Sequence, residues 1–181
     1  MQGMTMKMTW MAIMAVTLGL AACGGGGDGD GAGNNPPIGS VITKGVASVK
    51  GEWLQIGCVA AGGQSFKKTL RATEITLTSI DYYEGVLSFV GTTCSGAGTQ
   101  AGPSLLGNVV FSRSESNSAI AANWGEFTTI TNTKSAVIWA KNGEATLCLL
   151  GDATPSIQPT LASVASSLAT IPNANCFAKR I

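Results

Sequence analysis

Ala136-Val137-Ile138-Trp139-Ala140-Lys141-Asn142-Gly143-Glu144-Ala145-Thr146-Leu147-Cys148-Leu149-Leu150 places two apolar runs on either side of Asn142-Gly143. Asn and Gly tolerate the positive φ that tight hairpin turns impose, and the flanking runs are rich in residues that favour pleated surfaces. The stretch therefore reads as a β-hairpin, and its pattern recurs upstream. Glu52–Ala60 carries Trp53, Leu54, Ile56, Cys58 and Val59. Thr69–Ile80 alternates, with Ile75 and Leu77 on one face and Thr76 and Thr78 on the other. Tyr82–Thr93, Leu105–Ser112 and Ile120–Thr131 hold further apolar clusters. Turn signals fall at Asp81, Gly91, Gly107, Asn117, Asn132 and Gly151-Asp152. Short strands at such spacing predict an all-β domain, an antiparallel sandwich or barrel.

One segment breaks the pattern. Leu161, Val164, Ala165 and Leu168 recur at i, i+3, i+4 and i+7, which predicts a short helix after Pro159. Thr160 is its expected cap and Pro172 lies beyond its end. Packing across or beside the sheet is its expected role, and Asn175–Ile181 can return as a final strand.

Bulk composition excludes several functions. The chain has 181 residues, 11 basic and 10 acidic side chains, and no histidine. A net charge of +1 provides no basic field for phosphates, so nucleic acid is not an expected partner. Without histidine the usual general base and the commonest metal ligand are both missing, and Ser-His-Asp or Cys-His mechanisms are ruled out.

The N-terminus carries an address. Lys7 precedes an apolar run from Trp10 to Leu20, the order of charged and apolar regions in an export signal. That run falls short of the about 20 apolar residues of a membrane span. Leu20-Ala21-Ala22-Cys23 then resembles the bacterial lipobox. The resemblance implies cleavage before Cys23, a diacylglycerol on its sulfur and acylation of the new amine. Several acyl chains at about 0.8 kcal/mol per buried CH2 would anchor the chain stably to a membrane. Gly24 occupies the position where an Asp commonly signals inner-membrane retention, so the resemblance extends to sorting to a bacterial outer membrane, on the periplasmic face.

Residues 1–22 thus read as a lipoprotein signal peptide, 23–44 as a lipidated Gly/Pro linker and 45–181 as the folded domain. The linker, Gly-rich and ending in Pro36-Pro37, offers nothing to a core. Asp28 and Asp30 partly mimic a calcium loop, but Ala32 and Gly39 stand where ligands belong. No Gly-Lys-Ser/Thr follows to make a phosphate loop. No cofactor or metal is expected.

Cys58, Cys94, Cys148 and Cys176 remain after Cys23. Four cysteines in an exported chain imply two disulfides among three pairings. Zinc knuckles and Cys-x-x-Cys exchange motifs need closer spacing than these residues have. The expected pairing is Cys58–Cys94, from the first core strand to the end of the third, with Cys148–Cys176 tying the last hairpin to the C-terminal segment.

Gly51-Glu52-Trp53 opens the first strong strand with Gly-x-Trp. Cys58, Tyr83 with Cys94, Leu147–Asp152 and Pro159-Thr160-Leu161 follow in order. This series resembles uncharacterised bacterial lipoproteins with a lipocalin-like domain, over most of Lys50–Lys179. Ala162 and a long insertion before Pro159 depart from that pattern. The resemblance implies an antiparallel lipocalin-like barrel of about eight strands with one short C-terminal helix, enclosing a small apolar cavity. Trp53 would plug the barrel bottom, with Arg71, Arg113 or Arg180 stacked on it.

Glu52, Glu74, Asp81, Glu84, Glu115, Glu126 and Glu144 could supply a catalytic carboxylate pair, but nothing in the sequence fixes two of them at the required separation. The expected function is therefore non-enzymatic: an envelope lipoprotein, membrane-bound through Cys23, that takes a small hydrophobic ligand in its barrel. The alternative is a structural module that binds another envelope protein.

Overall fold

The computed structural model describes residues 41–150 and 158–180. Cys23, the lipobox, the linker through Ser40 and the Gly151-Asp152 turn signal lie outside the described residues. Nine strands are described: β1 (Gly51–Gln55), β2 (Val59–Ala61), β3 (Gln64–Thr76), β4 (Ser79–Val90), β5 (Thr99–Ser116), β6 (Ile120–Thr129), β7 (Lys134–Asn142), β8 (Thr146–Leu149) and β9 (Cys176–Lys179). Helix α1 (Val46–Val49) precedes them, and α2 (Leu161–Leu168) with a single 3-10 turn (Asn173–Asn175) lies between β8 and β9.

All strand pairings are antiparallel. From β3 each strand pairs with the next as far as β9, β9 pairs with β1, and β1 returns to β3. Eight strands thus close into a barrel, and β2 lies outside the ring. β1 and β2 share one edge of β3: Gly51–Leu54 face Ala72–Thr69, and Val59–Ala61 face Phe66–Gln64. The expected run over Glu52–Ala60 is therefore two strands separated at Ile56–Cys58. The long strands are tightly joined in places. A side chain on Gly125 would collide with the Val110 carbonyl beside the β5–β6 irregularity, so glycine permits that approach.

The Asn142-Gly143 hairpin forms, with Asn142 opposite Thr146 and Gly143 at φ 66° in the turn. Thr69–Ile80, read as one strand, contains the β3–β4 hairpin, whose tip is Leu77-Thr78. Hydroxyls replace the usual turn residues: Thr76 Oγ1 lies 2.7 Å from Ser79 Oγ and accepts from the Thr78 amide at 3.2 Å. Asp81 and Gly107 do not turn the chain. Asp81 lies within β4 opposite Thr73 and Asn108, and Gly107 lies within β5 beside an irregularity in register.

Period-two alternation sends one face of each strand inward. Trp53, Leu70, Ala72, Ile80, Tyr82, Val109, Phe111, Trp139, Leu147 and Phe177 form the interior core with Val46 and Val49 of α1. The aromatic rings interlock edge to face: Tyr82 with Trp139 at 5.2 Å and with Phe127 at 5.7 Å, and Phe111 with Trp139 at 6.0 Å. The opposite face of β6–β9 builds a second, external core beneath α2, where Trp124, Ile138 and Ala140 meet Val164 and Leu168. Thr160 and Ser163 cap α2 reciprocally, each side chain accepting the other's amide. Trp124 donates to the Gln158 carbonyl at 2.8 Å, Arg113 lies 3.8 Å over the Trp124 ring, and Arg113 donates to the Pro159 carbonyl at 2.6 Å.

The segment before β1 seals one pole. Ile42 is buried and donates its amide to the Asn117 carbonyl. Buried Asn123 accepts from the Gly45 amide at 2.6 Å and donates to Ser48 Oγ and the Trp139 carbonyl, each at 3.1 Å. Trp53 is wholly buried beneath α1 and donates to the Val49 carbonyl at 2.8 Å. The cation over its ring is Lys179, 5.8 Å from the centroid, in place of the expected arginine; Arg113 stacks on Trp124 and Arg71 on Tyr83.

Both disulfides are Cys58–Cys94 and Cys148–Cys176. The first joins the β1–β2 and β4–β5 loops, and the second links directly opposed positions on β8 and β9.

Candidate ligand cavity

The pole opposite α1 is hollow. A cavity of about 400 Å³ opens there, lined by Gln55, Lys68, Tyr82, Glu84, Leu149, Ala174, Asn175 and Phe177. Its size falls within the range of small-molecule sites, roughly 300–1,000 Å³. Tyr82, itself stacked on Phe127 and Trp139, joins the lining to the packed half of the barrel below.

Register assembles its polar part. Leu70 lies opposite Glu84 and Lys68 opposite Val86, so Lys68 and Glu84 are diagonal neighbours on the inward face. Lys68 Nζ lies 2.8 Å from Glu84 Oε1, and the Tyr82 hydroxyl donates to Glu84 Oε2 at 2.8 Å. Burial, followed by the charge of Glu84 and its hydrogen bond, pushes the Tyr82 phenol far above its ordinary range. Tyr82 is therefore a neutral donor at any physiological pH. Gln55 ends β1 and takes up bonds the strand no longer makes. Its side chain accepts from the Lys68 amide at 2.8 Å and donates to the Ala174 carbonyl at 2.6 Å.

A second hollow, about 340 Å³, is lined by Gln55, Val59, Phe66, Lys67, Lys68 and Val86. It shares Gln55 and Lys68 with the first and presents the half-exposed Val59 as an apolar lip. The site thus combines a charged pair with apolar walls at one opening.

Of the residues singled out by sequence, the four domain cysteines are bridged around this pole, and Cys23 lies outside the described residues. Glu52, Glu74, Glu84, Glu115, Glu126 and Glu144 each lie against a lysine or arginine. Among the described residues no three His, Cys, Asp or Glu side chains are grouped to hold a metal, and no helix is long and apolar enough to cross a membrane. Gln55, Lys68 and Tyr82 escaped the sequence reading as site residues. Alternation along Lys68-Leu70-Ala72 and Tyr82-Glu84 was the available signal, but only the β3–β4 register turns it into a cluster.

Comparison with protein-family models, curated proteins and solved structures finds no match.

Proposed function

We propose that the chain is a non-enzymatic envelope lipoprotein of the lipocalin-like kind, whose barrel carries a small ligand with an apolar body. The half-filled barrel carries this reading: one pole is closed by Val46, Val49 and Trp53, and the other holds an open cavity of about 400 Å³. Burial of a ligand's apolar surface against Leu149, Phe177 and the Val59 lip would drive binding at about 25 cal/mol per Å². The exported, lipid-anchored address rests on the Leu20–Cys23 box.

The purified chain, stripped of bound lipid, is expected to take up one medium-chain amphiphile in native mass spectrometry. Leu149→Trp, which fills the cavity wall, should abolish the adduct while the fold survives by circular dichroism. A wild-type chain that takes up no apolar probe would refute the carrier role. Release of fatty acid on hydrolysis of the membrane-extracted protein, with none from Cys23→Ser, tests the anchor separately.

A further inference from the structure

We infer that the ligand's polar end is an uncharged hydroxyl or amide, which meets the Lys68–Glu84 pair inside the mouth. The inference deepens the carrier reading and rests on it. One unit charge of each sign lines the larger cavity, held 2.8 Å apart, and Lys67 lies farther out in the adjoining hollow. The pair is net neutral, and Tyr82, whose one O–H goes to Glu84, adds no charge.

Glu84 is the more sheltered partner. The Glu84 side chain is 22% exposed and that of Lys68 is 51% exposed. A carboxylate entering to meet Lys68 would lie close to Glu84, and an ammonium entering to meet Glu84 would lie close to Lys68. Either ion must break the existing pair or tolerate a like charge a few ångströms away, beside the part-sheltered Glu84. A hydroxyl meets neither cost. Lys68 uses one of its three N–H donors on Glu84, and each Glu84 oxygen keeps a free lone pair. One hydroxyl can accept from Lys68 and donate to Glu84 together, and an amide can do the same with its two ends. Gln55, on the same lining, spends one N–H on the Ala174 carbonyl and one lone pair on the Lys68 amide, and it carries no charge. The chain of such a molecule would lie along Leu149 and Phe177 or out over Val59, Phe66 and Val86.

The test compares 1-decanol, decanoate and decylammonium on the delipidated full chain at neutral pH, by competition in native mass spectrometry. Decanol should bind at least about tenfold more tightly than either ion, a modest fraction of the repulsion expected between close like charges. Glu84→Gln leaves Lys68 without its counter-charge, and decanoate should then become the preferred ligand. Lys68→Met leaves Glu84 alone, and decylammonium should take the lead. Both variants keep the Tyr82 partner position, and circular dichroism checks their folds. Tighter binding of either ion to the wild-type chain, or a ranking unmoved by both substitutions, would overturn the inference while leaving the carrier role intact. Failure of all three probes to bind would remove the carrier role and this inference with it.

Discussion

Lys141 makes the strongest local demand on the fold. It lies on the same face of β7 as Trp139, is 2% exposed, and ends on Glu144. Glu144 reaches back from the hairpin turn, and its other oxygen accepts from the Thr43 amide at 2.8 Å. One carboxylate therefore neutralises a buried cation and pins the segment that seals the barrel. Removing it alone leaves the cation unpaired, so Glu144→Gln should destabilise the domain by about 2–3 kcal/mol in urea unfolding, reduced from the fully buried case because Glu144 faces solvent. Lys141→Met removes the demand as well as the partner, and should cost less than about 1 kcal/mol. The same pair sets a pH response. The Lys141 hydrogen bond, then that of Thr43, lowers the Glu144 carboxyl from 4.5 to about 2. A folded-state value below the unfolded one stabilises the fold above the unfolded value and loses that stabilisation as pH falls through the folded one. Melting temperature should therefore fall between pH 4.5 and 2, and the fall should be shallower in Glu144→Gln.

At the level of elements, the β7–β8 hairpin was legible because Asn142-Gly143 is a turn in chemistry as well as in pattern. Helix α2 was legible for the same reason: its apolar spacing and the Thr160 cap agree. The β3–β4 hairpin was hidden, because Thr76 and Ser79 hydroxyls do the work usually given to Gly or Asn, and the alternation continues through the tip. Asp81 and Gly107 misled for the converse reason, being turn residues held in strands by pairing on both sides. α2 is held by a single apolar row, so its attachment is testable by one deletion. Val164, fully buried against the outer face of β6 and β7, should cost about 2 kcal/mol when changed to Ala. Thr160→Ala should cost about 1 kcal/mol through the lost cap. Urea midpoints at constant m-value would read both.

For the whole molecule, strand spacing left sandwich and barrel open, and closure was expected only from the resemblance that begins at Gly51-Glu52-Trp53; of the three cysteine pairings the sequence allows, the expected one forms. The cavity could not be read from the residues, because it depends on which side chains alternation turns inward once register is set, and on how far the Tyr82–Phe127–Trp139 cluster fills the lumen. Volume is a property of the assembled barrel, and no short stretch encodes it. The two poles differ accordingly: one is plugged by Val46, Val49 and Trp53, while the other opens on a lining that mixes Gln55, Lys68 and Glu84 with Leu149 and Phe177. Both cystines lie at the hollow pole, at the rim loops and at the adjoining ends of β8 and β9. Cys58–Cys94 thus braces the rim loops, and Cys148–Cys176 ties β8 to β9 within the apolar core beneath α2. The opposite pole has no cystine, and amides 42–50 are held there by the packing of Val46 and Val49 and by hydrogen bonds alone, so local opening is expected to start there. Deuterium uptake should reach those amides before the rim, and reducing agent should reverse the order.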